Sequence, residues 1–344
     1  MPTHKALVLP EKNGEYVIND VETPTPGPGE LLVEVRATAL NPVDWKIRLT
    51  GYFVKSFPCV LGTDSAGVVK AIGEGVTDFA VGDRVLHQGF FTQPQATFQQ
   101  YSLVPAEIAA KIPANLTFEQ AATVPLTLAT ASFGLYSPPK PIPDHGGAGF
   151  TPHWEEGGRG KYAGQPILIL GGSSAVGQHT IQSAKLSGFS PIITTASKHN
   201  EEYLKAMGAT HIIDRKVSLP EGLKAITSEP LKIVFDAIGD KATQEMGHDV
   251  LAPGGTLIIV IGCQIDESKR TKDKSVVVVF GSAHDPQQRA LGVSMYSKMT
   301  ELLEKGEIKP NNVEIVTGGL EGIPAALQKL QDGKVSACKL VAPL

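Results

Sequence analysis

The residues with the clearest chemical capacity form one run, Ile169-Leu170-Gly171-Gly172-Ser173-Ser174-Ala175-Val176-Gly177-Gln178. It lies between a short apolar stretch, Ile167 to Leu170, and a helical pattern that continues through Lys185. Small residues at a strand-to-helix turn let backbone N–H groups and the helix N-terminus approach an anion. Three kinds of site use that topology. A phosphate-binding P-loop needs Lys and then Ser or Thr after its last glycine, and here Gly177 is followed by Gln178 and His179. A nucleophile elbow needs Gly-x-Ser-x-Gly, and Gly171-Gly172-Ser173-Ser174-Ala175 fails at its fifth place. A dinucleotide turn needs small residues against a pyrophosphate, and the run meets that need without the strict G-x-G-x-x-G spacing. A tight strand-to-helix turn with no ligand is the reading that the run alone leaves open.

The next strand narrows the choice. Sites for NAD place an Asp or Glu about 20 residues on, where it accepts from the ribose 2′-OH. Here the strand ends in Thr194-Thr195-Ala196-Ser197-Lys198-His199-Asn200, with no carboxylate. A lysine, a hydroxyl and an amide suit a 2′-phosphate of about −2 charge. Arg215, just past the following strand, adds a second cation. The pattern predicts NADPH rather than NADH as cofactor, against the alternative that Lys198 only solvates a loop.

Elements of two kinds must hold these residues. The chain has 344 residues, which at roughly 150 per domain suggests about two domains. The first third is β-rich: Leu31 to Ala37, Ala66 to Ile72, a strand from Val85 and Gln99 to Val104 alternate between turn signals, and a helix starts near Thr117. From Ile167 onward, strands at Pro191–Thr195, Ile212–Asp214, Ile233–Asp236, Thr256–Ile261 and Val276–Phe280 alternate with helices, including Glu201–Met207. That rhythm predicts a parallel sheet covered on both faces. Ser294–Lys305 and Ile323–Leu330 read as the last helices. Between the regions, residues 137–165 hold five prolines and two Gly-Gly pairs, which exclude a regular helix or central strand. The expectation is a mobile surface insertion, with Phe150 and Trp154 able to pack back over a cleft.

Composition excludes other classes. The 31 Lys+Arg against 35 Asp+Glu leave a net charge of −4, so no basic footprint for nucleic acid or anionic lipid is visible. Cys59, Cys263 and Cys338 form neither a disulfide framework nor a spaced zinc cluster. No apolar run approaches membrane-spanning length, and residues 1–16 do not read as a signal peptide. A cytoplasmic protein is expected.

Several motifs in one order now match a family: Asn41-Pro42-Val43-Asp44, Leu61-Gly62-Thr63-Asp64-Ser65-Ala66-Gly67, Gly82-Asp83-Arg84-Val85, the glycine turn, and the ending Gly333-Lys334-Val335-Ser336-Ala337-Cys338-Lys339-Leu340-Val341. Over essentially its whole length the chain resembles the medium-chain dehydrogenase/reductase superfamily. It looks most like the zinc-free branch of quinone oxidoreductases and fungal trans-acting enoyl reductases, sharing the Ser-x-His-Asn turn at 197–200 and Gly-Leu-Glu-Gly-Ile-Pro at 319–324. The resemblance implies an α/β protein. A GroES-like β-barrel catalytic domain would take residues 1–126 and 283–344, and a Rossmann domain, a doubly wound parallel sheet, residues 127–282 with the insertion. The Val276–Phe280 strand would either pair across a homodimer edge or lie under the insertion.

Zinc members of the superfamily carry Cys where this chain has Asn41 and a His-Glu pair where it has Thr63-Asp64, so no tetrahedral donor set is expected and Asp64 and His87 read as structural. Reducing a saturated carbonyl puts full charge on oxygen, which zinc normally takes. Hydride addition to a conjugated C=C spreads charge into an enolate that hydrogen-bond donors can stabilise. The expected reaction is therefore reduction of an electron-poor C=C or a quinone, on a free electrophile or a carrier-bound acyl chain. A metal-free carbonyl reductase and a non-catalytic NADPH-binding sensor or accessory protein are the alternatives. By resemblance, Lys46 matches a lysine near nicotinamide and substrate, against the alternative of a cofactor-ribose contact with no catalytic role, and Thr130 matches a threonine at the substrate carbonyl, against a helix hydroxyl bonded to its own backbone. Tyr52 is a candidate proton donor by chemistry alone; the favoured reading is a cleft-wall residue, with the proton taken from water. Cofactor contacts carried over are Val43, Asp44, Trp45 and Lys46; Gly172, Ser173, Ser174, Ala175 and Val176; Ser197, Lys198, His199 and Asn200; Arg215; Val260 and Ile261; Val335 and Ser336. The chain departs from its enoyl-reductase relatives at Arg215, where they have tyrosine, and in the content of the insertion.

Overall fold

Alternation of buried and outward residues makes Glu30–Ala39 the central strand of the first unit. In the computed structural model, which describes residues 2–344, it pairs antiparallel with Asp64–Ile72, Tyr101–Pro105 and Cys338–Pro343. A seven-stranded sheet grows from it in the order Asn312–Ile315, Cys338–Pro343, Glu30–Ala39, Asp64–Ile72, Arg84–Gln88 and Ala109–Lys111, with Tyr101–Pro105 to the side. A three-stranded sheet of Val17–Glu22, Thr3–Leu9 and Cys59–Val60 accompanies it. This unit takes the chain up to Leu126, Ser282–Lys305 and Pro310–Leu344. The final strand completes it, with Val341 opposite Ala39.

One fully buried carboxylate ties these parts. Asp64 accepts from Asn41 Nδ2 at 2.7 Å and from the Leu126 N–H at 2.7 Å, and it is ion-paired with Lys339, itself 3% exposed. Asn41 also donates to Thr63 Oγ1 at 3.0 Å. Nearby, Asp44 accepts from the Asn41 N–H at 2.8 Å through one oxygen. Burial pushes the Asp44 carboxyl up to about 7, and the Asp64 charge adds to that rise.

The second unit comprises Thr127–Gly281 and Gly306–Lys309. Its six strands are all parallel, in the order His211–Asp214, Ile192–Ala196, Ile167–Leu170, Ile233–Asp236, Thr256–Ile259 and Ser275–Val278. That is the 3-2-1-4-5-6 order of a doubly wound dinucleotide fold, in which ligands sit at the C-terminal strand ends near the reversal point. Leu168, Val234 and Leu257 centre the sheet's core. Gly306–Lys309, expected with the returning segment, groups with this unit instead. Gln182 exchanges two hydrogen bonds with the Lys309 main chain, and Glu307 pairs with Arg159 at 2.6 Å. The late helix starts at Arg289, five residues before the expected Ser294, with Arg289 paired to Glu107.

The insertion holds no regular helix or strand, yet it is not a loop standing clear of the fold. Phe150 packs edge-on against Tyr162 and Phe189, and Trp154 against Tyr136 and His153. Its Phe150 and Trp154 thus spend their apolar area on the second unit's own residues. At the sheet's edge His145 bridges Val278, the Gly146 N–H donates to the Val278 carbonyl at 2.9 Å, and His145 stacks on Phe280.

Two stability outcomes follow from the buried charges. Lys339→Met strands the Asp64 charge and should cost about 3–5 kcal/mol, whereas Lys339→Met with Asp64→Leu should cost less, read as denaturant midpoints. For Asp44 the folded value is raised, so its contribution is full below pH 4 and is lost as pH rises towards 7. The parent's midpoint should fall across that window through this group, and Asp44→Asn should remove that part of the slope.

Candidate functional site

The glycine turn is built by close approach. Gly171 has φ +78°, in the left-handed region that favours glycine. A Cβ on Gly172 would stand 2.1 Å from Thr194 Oγ1, and one on Gly177 would stand 2.3 Å from the Gly171 carbonyl oxygen. The turn is tied to the neighbouring strand: Gly171 N–H donates to Thr195 Oγ1 at 3.0 Å and Gly172 N–H to the Thr195 carbonyl at 3.1 Å. Ser174 caps the helix Ala175–Ser187, its hydroxyl accepting from the Gly177 N–H at 3.0 Å. Amides of the first helical turn have no partner within the helix, and they concentrate positive potential there.

Around this turn the second unit gathers most of the expected cofactor residues. Ser197 to Asn200 follow the end of Ile192–Ala196, with Lys198 and His199 exposed and Asn200 buried. The Arg215 N–H donates to the Ala196 carbonyl at 3.2 Å, which brings Arg215 to the same rim. Neither Lys198 nor Arg215 is in an ion pair among the described residues. Ile238 presses on Gly171, where a Cβ would lie 2.3 Å from its Cδ1, and Gly239 abuts Val260 and Ile261. Sequence reasoning missed the group that shapes this part. Buried Asp236 accepts from the Ile238 and Gly239 N–H groups at 3.0 and 3.1 Å and from Thr243 Oγ1 at 2.8 Å, and burial pushes its carboxyl up. A carboxylate at a strand end followed by Ala-Ile-Gly was the available signal.

Thr130 lies in the helix Pro125–Tyr136, also of the second unit, and is 9% exposed.

In the first unit, Val43, Trp45 and Val335 are partly buried and each packs against one apolar core. Lys46, on the helix Pro42–Thr50, is half-buried, lies 5.4 Å over the Trp45 ring and has no carboxylate partner among the described residues. Burial pushes its ammonium down from the usual lysine range. Asp44, expected at the cofactor, has its side chain fully buried under the helix start, so only its main chain can reach a ligand. Ser336 is exposed and precedes Ala337, which holds φ +53°. Tyr52 is 68% exposed, and no hydrogen bond fixes its hydroxyl among the described residues. Its ring edge meets Phe53, and the aromatic contacts continue through Phe91 and Phe90 to His284.

These residues fit a nicotinamide dinucleotide: a cradle that side chains would fill, a capped helix N-terminus, and unpaired cations beyond the second strand. They do not fit a zinc ion. Asn41, Thr63 and Asp64 are bound to one another and to Lys339, and no three His, Cys, Asp or Glu side chains converge among the described residues.

Residues 27–114 match the alcohol dehydrogenase GroES-like domain family, and residues 175–304 match the zinc-binding dehydrogenase family. The chain is 30% identical to the trans-enoyl reductase grgB of Penicillium sp, over 100% of this chain and 99% of that protein. It is 32% identical to a zinc-type alcohol dehydrogenase-like protein of Schizosaccharomyces pombe, over 98% and 99%. Among solved structures, the CurK enoyl reductase is 25% identical and superposes with a TM-score of 0.78, over 99% of each chain. Joined to the parallel sheet, the glycine cradle and the returning final strand, these matches make the chain an oxidoreductase belonging to the medium-chain dehydrogenase/reductase superfamily, whose members bind nicotinamide cofactors.

Proposed function

We propose that the chain is a cytoplasmic, metal-independent NADPH-dependent reductase of an activated C=C bond, an α,β-unsaturated carbonyl or a quinone. The observation that carries the cofactor choice is the end of Ile192–Ala196, where Lys198 stands unpaired and no carboxylate waits for a ribose hydroxyl. Arg215 on the same rim supports it. The trans-enoyl reductase relatives and the absence of a zinc donor set support the acceptor class.

NADPH, when bound, supplies a hydride. The chain's residues do the rest. The amides after Gly172 and the start of Ala175–Ser187 hold the pyrophosphate, while Lys198 and Arg215 meet the 2′-phosphate. Hydride adds to the β-carbon of the acceptor, the π pair moves to the carbonyl oxygen, and the α-carbon takes a proton from solvent. The enolate oxygen is where charge develops, and donors aimed at it stabilise the transition state more than the ground state. Thr130 donates there. Lys46, its ammonium desolvated and unpaired, places positive charge beside nicotinamide and acceptor.

Chelator-treated protein should oxidise NADPH, and NADH far more slowly, with a 2-enal, a cyclic enone or a quinone, but not with a saturated aldehyde. Turnover of the aldehyde alone would instead identify a carbonyl reductase. NADPH binding without turnover of any acceptor would point to a sensor or an accessory protein.

Lys198→Glu combined with Arg215→Glu should raise the KM for NADPH by about 10- to 100-fold, the weight of one or two charge-assisted bonds, and leave that for NADH nearly unchanged. Steady-state kinetics with both cofactors checks this, and equal losses for the two would refute the 2′-phosphate assignment. Lys46→Met should lower kcat about 10- to 100-fold in the same assay, as loss of one charge-stabilising group does.

A further inference from the structure

The two anion-binding parts of the cofactor site lie on different elements. The pyrophosphate turn runs from Gly171 into the helix Ala175–Ser187, and Lys198 stands just before the helix Glu201–Met207. A short chain of side-chain bonds joins them. The Tyr203 hydroxyl donates to Gln178 Oε1 at 2.7 Å, and Gln178 Nε2 donates to the Ser173 carbonyl at 3.0 Å. Gln178 is fully buried. Its amide serves both bonds in one orientation only, because the oxygen accepts and the nitrogen donates.

The Ser173 carbonyl is one end of a peptide held at both ends. At the other end the Ser174 N–H donates to the Gly171 carbonyl at 2.9 Å. The peptide is planar, so two bonds fix its plane and with it the path of the turn into the capped helix. Tyr203 ties the second part to the first. It lies in the first turn of Glu201–Met207, three residues beyond Asn200, whose N–H donates to the Ser197 carbonyl at 3.0 Å. The far end of that helix is also laid on Ala175–Ser187. Gly208 ends it at φ +124°, and a Cβ there would stand 2.7 Å from Lys185 Cδ.

In NADPH the pyrophosphate and the 2′-phosphate hang from one ribose, so covalent geometry limits their separation. Both can be bound at once only where the protein holds the two sites at a matching distance. NADH presents the pyrophosphate alone. We infer that Tyr203 and Gln178 are positioning residues that set the spacing between the pyrophosphate turn and the 2′-phosphate residues, and so determine the preference for NADPH. The inference rests on the NADPH reading given above.

The test measures Kd for NADPH and NADH by calorimetry and for 2′-AMP by displacement of NADPH. Tyr203→Phe removes one hydroxyl and keeps the ring. It should weaken NADPH about 3- to 10-fold, the weight of one hydrogen bond, and NADH less than about twofold. 2′-AMP fills one site alone and should bind within about twofold of the parent. In the background Lys198→Glu/Arg215→Glu the same change should no longer separate the two cofactors, because one site is left to fill. Equal losses for NADPH and NADH, or parental affinity for both, would overturn the inference alone. A loss for 2′-AMP equal to that for NADPH would place the effect inside one site and overturn it too. A parent that binds NADH as tightly as NADPH would overturn the cofactor reading and the inference with it. Gln178→Met/Tyr203→Phe leaves neither partner of their bond stranded, which guards against loss of folding in the single variant. It should show the same selective loss of NADPH, and a parental ratio of the two affinities would overturn the inference.

Discussion

The first unit depends on one buried charge. Asp64 loses hydration entirely, and three donors from distant parts of the chain replace it: Asn41, the Leu126 N–H and Lys339. An unpaired buried carboxylate would be untenable, so each donor segment must be in place for the others to be stable. Those segments are the ones that bear the candidate site. Asn41 opens the helix of Val43 to Lys46, Lys339 follows Val335 and Ser336, and Leu126 lies at the start of the helix that carries Thr130. A single carboxylate thereby ties together three stretches far apart in sequence.

The same positions explain how a fold shared with zinc dehydrogenases stands without a zinc donor set. Asn41 and Thr63 hydrogen-bond to each other, and the carboxylate beside them is satisfied by an ammonium. A tetrahedral metal needs thiolate, imidazole or carboxylate groups with free lone pairs. Here the polar groups consume one another. The result is a hydrogen-bonded cluster at the start of the helix that carries Lys46.

Local signals made much of this legible. The glycine turn, the missing carboxylate after Thr195 and the alternating strands can be read from neighbours in sequence, because strand and turn chemistry is local. The helix Pro125–Tyr136 was not legible: its sequence, PLTLATASFGLY, is apolar almost all round, so it carries no amphipathic stripe to mark a helix buried on every side. The insertion misled for a related reason. Proline and glycine announced a loop correctly, but whether Phe150 and Trp154 cover a cleft or their own unit depends on Phe189 and Tyr136, which only the fold brings near. The Asp64–Lys339 pair spans 275 residues and the Tyr203–Gln178 bond spans 25, so neither leaves a local pattern.

Pairing also sorts the cations by role. Lys339 is buried and fully matched by Asp64, and its charge is spent inside the protein. Lys46 is half-buried, its ammonium destabilised by that burial, and it lies over the Trp45 ring. Folding alone gains little from such an arrangement, since partial desolvation of a charge is unfavourable and a weak cation–π contact offsets only part of it. A solvent-facing lysine at that position would be more stable in the free protein. On the function proposed above, the arrangement becomes favourable when a partner brings electron density, as an acceptor does at the moment its oxygen gains charge.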